Sequence, residues 1–257
     1  MNRVRIIPVL GIDKYKLVKT VKFNNPNYIG DPINAIKIFN DKEVDEIIVV
    51  DIRASINKRE PNYKLIEDIA SECFMPFSYG GGINTLSQAK KIFSLGVEKV
   101  ILNSALDSNP NLISEIANVY GSQSIVAALD FKKNLLGNYK LYFKSGGKVC
   151  KYNFLEYVNK LIANGVGELL ITDISKEGTF SGYNKELITI ISESVNIPVV
   201  ANGGCFSLKD MLSICQNTNC SAVAAGSLFV YRNNDYRSIL INYPTEEVKT
   251  NEIFKNL

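Results

Sequence analysis

The chain has 257 residues, 46% apolar and 21% charged, enough to bury one large core or two modest ones. Its 29 basic and 26 acidic residues leave a net +3, too mild an excess to imply a nucleic-acid or membrane partner, yet compatible with a phosphorylated ligand. It has no histidine, which excludes a Ser-His-Asp triad, a Cys-His dyad and a His-ligated metal. Acid/base work must fall to Asp, Glu, Lys, Tyr or Cys.

Short apolar runs alternate with helix-period segments from end to end. Strands are expected at Arg5–Leu10, Glu46–Asp51, Pro76–Tyr79, Lys99–Leu102, Ile125–Asp130, Glu168–Thr172, Pro198–Ala201 and Ala222–Ala225. They are apolar nearly throughout, as strands covered on both faces are. Asp31-Pro32 pairs an N-cap with proline at N1 and opens the first helix. Apolar stripes between the remaining strands predict the other helices. Eight such units at this length predict a single α/β domain over residues 1–257, a (β/α)8 TIM barrel, with a doubly wound open sheet as the alternative.

Two insertions break the rhythm. Residues 14–30 read as a polar loop, and residues 131–152 read as a hairpin around Ser145-Gly146-Gly147. Both follow a strand, so in a barrel both project from the C-terminal face. The charged tail, residues 243–257, is expected to be peripheral. The start, Met1 to Lys16, reads as a strand with no cleavable leader, and no apolar run reaches the roughly 20 residues of a membrane span. Five cysteines, without a CxxC pair, read as reduced thiols of a cytoplasmic protein. No motif calls for a metal or an organic cofactor.

An internal repeat decides between the two architectures. Pro76-Phe-Ser-Tyr-Gly-Gly-Gly82 is echoed by Pro198-Val-Val-Ala-Asn-Gly-Gly204, Asn103-Ser104 by Gly226-Ser227, and Leu10-Gly11 by Leu129-Asp130. Three landmarks at nearly one spacing, close to half the chain, mean two similar half-barrels. Each half carries a strand ending in Gly-Gly and a following strand ending in a small residue plus Ser. Glycine lets backbone approach a phosphate closely, and the opening N–H groups of the next helix point at it. Two such cradles suit a ligand with a phosphate at each end.

These residues resemble the HisF family, the cyclase subunits of imidazole glycerol phosphate synthase. The likeness runs through Arg5-Ile-Ile-Pro-Val-Leu10, Gly30-Asp-Pro32, Val50-Asp-Ile-Arg-Ala-Ser55, Tyr79 to Gly82, Asn103-Ser104, Gly121-Ser-Gln123, Asp130, Glu177-Gly-Thr179, Ser181-Gly-Tyr183, Asn202-Gly-Gly204 and Gly226-Ser227. The resemblance implies a barrel that receives ammonia from a separate glutaminase subunit, as a heterodimer, and closes an imidazole ring at its mouth. It places Gly81, Gly82, Asn103 and Ser104 at one phosphate, and Gly178, Gly203, Gly204, Gly226 and Ser227 at the other. Asp51 would bind ligand, Lys19 would close over it from a mobile loop, and Asp130 would be catalytic. Arg5, Glu46, Lys99 and Glu168 match the charged ring that gates the family's ammonia channel.

Two positions depart from the family pattern. The acid/base aspartate expected at the end of strand 1 is Gly11, and Asp13 would lie some 6–7 Å further along. Glu177 stands where aspartate is usual. A retained gate without the ring-closing base resembles the HisF-like proteins associated with glycosyl amidation (the WbuZ group), as do Val18 to Phe23, Ile38 to Asp45, Ser71 to Pro76 and Ile241 to Pro244. That resemblance implies ammonia supply to a sugar amidotransferase that converts an N-acetyl sugar for surface polysaccharide. An active cyclase of histidine biosynthesis is the alternative. A scaffold that merely activates a glutaminase, and a half-barrel isomerase, are further alternatives.

Overall fold

A computed structural model describes residues 4–232 and 235–257, so the reading of Met1–Arg3 lies outside the described residues. Eight parallel strands close into a barrel: β1 (Arg5–Asp13), β4 (Ile47–Asp51), β5 (Phe77–Gly80), β6 (Lys99–Leu102), β7 (Ile125–Lys133), β10 (Glu168–Asp173), β11 (Val199–Asn202) and β12 (Ala222–Ala225). Each pairs with the next, and β12 closes on β1 through the register Arg5 to Ala222. The fold is the (β/α)8 barrel, not the open sheet.

Helices alternate with these strands. They are α1 (Pro32–Asp41), α2 (Tyr63–Glu72), α3 (Leu86–Ser94), α4 (Ser104–Ser108), α5 (Asn111–Tyr120), α6 (Phe154–Ala163), α7 (Lys185–Ser192), α8 (Leu208–Asn217), α9 (Ser227–Val230) and α10 (Glu246–Glu252). Local chemistry sets their starts. Asp31 accepts a hydrogen bond from the Asn34 N–H ahead of Pro32, and Thr85 forms a reciprocal capping box with Gln88.

Side-chain alternation divides the core in two. Along β1, Ile6, Leu10 and Ile12 face outward into the large core beneath the helices. Arg5, Ile7, Val9 and Gly11 lie on the other face, and Ile7 packs inside the barrel with Ile48, Ile101, Val126, Leu170 and Val200.

The two insertions are more regular than the sequence suggested. Residues 14–30 are not a loop. They form the antiparallel strands β2 (Lys16–Val21) and β3 (Asn24–Gly30), with β2 paired to the extended end of β1. Leu17 and Val18 are buried within this polar stretch and hold the ribbon down. After the fifth barrel strand, β8 (Tyr139–Phe143) pairs with the extended end of β7, and β9 (Lys148–Val149) pairs with β8 around residues 144–147. The first strand of each half therefore runs past the barrel into an antiparallel ribbon. This part of the repeat leaves no sequence echo.

The tail differs from expectation. Tyr243 is buried and its hydroxyl donates to the Ile6 carbonyl at 2.9 Å. Lys249, only 1% exposed, pairs with Asp45 and Glu246 at 3.1 Å each. Its charge made the tail look solvent-bound, but charges that pair with one another can be buried.

Candidate active site at the C-terminal mouth

The eight strand ends and both ribbons surround a cavity of about 470 Å³. Lys19, Asp51, Gly81, Gly82, Asn103, Ser104, Asp130, Gly178, Gly203, Gly204, Gly226 and Ser227 all line it, so the sequence-derived ligand set converges on one place. Gly11 lines it too. The register fixes what Gly11 corresponds to. Ile12 pairs with Asp51 at the end of β4, as Phe131 pairs with Asp173 at the end of β10. Gly11 and Asp130 are therefore equivalent positions of the two halves, and only one carries a carboxylate.

Asp130 is buried, and its Oδ2 accepts a hydrogen bond from Asn103 Nδ2 at 3.0 Å. Burial, reinforced by repulsion from Glu177 and opposed by the Asn103 bond, pushes its carboxyl up to about 7. A carboxyl poised there can both take and give a proton near neutrality. The Asn103 side chain also donates to the Ala128 carbonyl and accepts from the Lys144 N–H, which ties the second ribbon to the mouth.

Asp51 accepts from the backbone N–H groups of Arg53 and Ala54 through one oxygen, while its buried Oδ2 has no hydrogen-bond partner. Burial raises its pKa against those bonds and the Arg59 guanidinium. Arg59 also contacts Asp13 at 3.2 Å, and Arg53 lies 3.6 Å from Asp13. The strand does continue to Asp13, but that carboxylate is held by two arginines and does not line the cavity. Sequence reading did not single out this arginine pair. Arg53 sits in a quoted run, whereas nothing local marks Arg59.

On the far side, Glu177 binds the first ribbon. It pairs with Lys19 and accepts from Thr20 Oγ1 and the Phe23 N–H at 3.0 Å each. Lys19 thus belongs to a strand and is already paired across the mouth, rather than waiting on a mobile loop. Gly178 follows, at φ +75°, where a Cβ would collide with the Thr20 carbonyl. Gly81 is similarly constrained, at φ +113°, where a Cβ would meet the Asp51 carbonyl oxygen at 2.6 Å. Neither position accepts a side chain without moving backbone. Each cradle ends in a short helical turn, α4 at Ser104 and α9 at Ser227. Their first N–H groups carry no side-chain cap, and Ser227 Oγ is buried without a partner. Backbone donors of this kind suit an oxyanion. Among the described residues, no group of three His, Cys, Asp or Glu is placed to hold a metal ion.

At the opposite end of the barrel, Arg5, Glu46, Lys99 and Glu168 form a closed square of ion pairs. Arg5 contacts both glutamates, and Lys99 reaches Glu46 at 3.1 Å and Glu168 at 2.8 Å. Burial alone would raise the Glu168 carboxyl, but Arg5 and Lys99 hold it below its ordinary value. Ser78 Oγ completes the set by donating to Glu46.

Comparison with known proteins agrees with this architecture. The histidine biosynthesis protein family matches residues 5–235. A Pseudomonas aeruginosa protein provisionally named imidazole glycerol phosphate synthase subunit hisF2 is 48% identical over 244 residues, covering 95% of this chain and 97% of its own. A Leptospira interrogans protein provisionally named as the HisF subunit is 45% identical over 250 residues, 97% and 98% of the two chains. The imidazole glycerol phosphate synthase subunit HisF of Lactococcus lactis is 38% identical over 228 residues, 88% of each. By its closed barrel, its paired cradles and these relatives, the chain belongs to the histidine biosynthesis protein family, as a HisF-type barrel.

Proposed function

We propose that this barrel is one subunit of a glutamine-dependent ammonia-transfer complex, with a HisH-like glutaminase docked beneath its N-terminal face. Ammonia released there enters through the square of Arg5, Glu46, Lys99 and Glu168 and leaves at the mouth. It serves amidation of an N-acetyl sugar by a separate amidotransferase in the synthesis of surface polysaccharide. The observation that carries this reading is Gly11. It occupies the position equivalent to Asp130, and its nearest substitute, Asp13, is spent on Arg53 and Arg59. Loss of a positioned acid/base typically costs about two to four powers of ten in rate.

The second reading, an active imidazole glycerol phosphate synthase cyclase, is favoured by Asp130 at about 7 and by two intact cradles. One assay separates them. Purified barrel is given the bisphosphate substrate of histidine synthesis and concentrated ammonium salt, which bypasses any glutaminase. The ammonia-transfer reading expects negligible turnover, and expects Gly11→Asp to raise it by about two to four powers of ten. A Cβ at Gly11 meets the Val18 carbonyl at 3.0 Å, so the variant needs only a small local shift. Turnover of the unaltered protein at an ordinary enzymatic rate, or growth of a histidine auxotroph on it, sinks the ammonia-transfer reading.

A further inference from the structure

The hairpin that follows the fifth barrel strand carries more charge and more exposed apolar surface than its fold requires. Residues 131–152 contain six lysines and no Asp or Glu. The formal +3 of the whole chain is those six set against −3 for everything else, so the mild overall balance conceals a sharply basic element.

Two of the lysines are paired, Lys133 with Glu186 and Lys148 with Asp107. Lys132, Lys140, Lys144 and Lys151 are exposed and have no carboxylate partner among the described residues. Lys132 and Lys140 stand directly opposite each other in the β7–β8 ladder, an arrangement that costs stability unless a third party supplies negative charge. Lysines also blunt sheet edges, but that does not account for the tip. There Leu135 is wholly exposed and Leu136 is 84% exposed. The turn beneath them is closed on itself. Asn134 Oδ1 accepts from the N–H groups of Leu136 and Asn138, and the Asn134 N–H donates to the Asn138 carbonyl. The leucines are held outward by this ordered turn and bury nothing in the fold.

We propose that this hairpin is a peripheral membrane-docking element. Lys132 and Lys140, the pair next to the tip, bind anionic phospholipid headgroups while Leu135 and Leu136 enter the interfacial layer. A rigid two-leucine tip with a lysine collar has the shape for this. A stable protein interface, by contrast, needs about 800 Å² from each partner, a flat area that a tip does not offer. Each lysine near an anionic surface contributes about 1 kcal/mol, a roughly fivefold gain in affinity, and the attraction decays within a Debye length. β7 runs on from Asp130 at the mouth to Lys133 at the base of the tip, so docking through this hairpin turns the mouth toward the bilayer. The inference is independent of which reaction the mouth serves.

The test is co-sedimentation of the full chain with vesicles of mixed phosphatidylcholine and phosphatidylglycerol, and with phosphatidylcholine alone. Binding is expected only to the mixed vesicles and should weaken as salt rises. Lys132→Ser with Lys140→Ser should lower affinity about 25-fold. Leu135→Ser with Leu136→Ser should lower it by about tenfold or more, with the unfolding midpoint unchanged. Failure to bind the mixed vesicles at low salt overturns the proposal, as does binding that either double variant leaves unaltered. So does a hairpin that ignores vesicles but is needed to hold a purified protein partner.

Discussion

At the scale of single residues, the mouth is decided by one missing carboxylate and one that is retained. Asp130 titrates near 7 in the folded protein because it is buried and faces Glu177, whereas an ordinary aspartate titrates near 3.8. The native state therefore holds that proton more tightly than the unfolded chain does. The stabilisation this brings is complete below about pH 4 and is lost as pH climbs through about 7. Asp130→Asn removes the titration. Denaturant unfolding across this range should show the variant gaining on the native protein up to about pH 7 and running parallel above. A difference that stays constant with pH would mean that Asp130 ionises normally. That these residues would meet in one cavity was legible beforehand, because the glycine and small-hydroxyl strand endings recur in both halves, where a lone glycine run would mark only a turn. The pairing of Asp13 with Arg53 and Arg59 was not, since it joins strand ends that are distant in sequence.

Among the elements, the barrel strands announced themselves because both their faces are covered. The first ribbon did not, because its few buried residues, Leu17, Val18, Thr20 and Ile29, are interspersed with partly or fully exposed ones. Charge also concealed the seating of the tail. Tyr243 fills a pocket against Phe229, with ring centroids 5.3 Å apart, and bonds the start of β1. Tyr243→Ala should therefore cost about 3–5 kcal/mol, measured by urea unfolding, and a loss below about 1 kcal/mol would return the tail to the periphery. The same experiment on the exposed hairpin tip should show almost no change, which marks the contrast between an element that holds the fold and one that does not.

For the molecule as a whole, the square of charges closes the N-terminal end of a barrel whose inner layer of Ile7, Ile48, Ile101, Val126, Leu170 and Val200 is apolar. Removing one member strands the others, and Glu168→Ala should destabilise by about 3–5 kcal/mol in the same urea measurement. Replacing all four by apolar residues of matching volume should be neutral or stabilising by about 1–4 kcal/mol, while product formation from glutamine in the assembled complex is lost. A complex that still delivers ammonia through the apolar variant would reduce the square to a plug.

The half-barrel repeat has one more consequence. Two cradles related by an approximate twofold axis would accept a ligand with a phosphate at each end in either of two orientations, since each end meets much the same backbone. Gly11 and Asp130 break that equivalence: one seating brings a given carbon of the ligand against a carboxylate, and the reversed seating brings it against bare backbone. In a barrel with an aspartate in both halves, a flipped ligand meets an acid either way. Here the two seatings of such a ligand would no longer be equivalent, because only one of them sets it against Asp130.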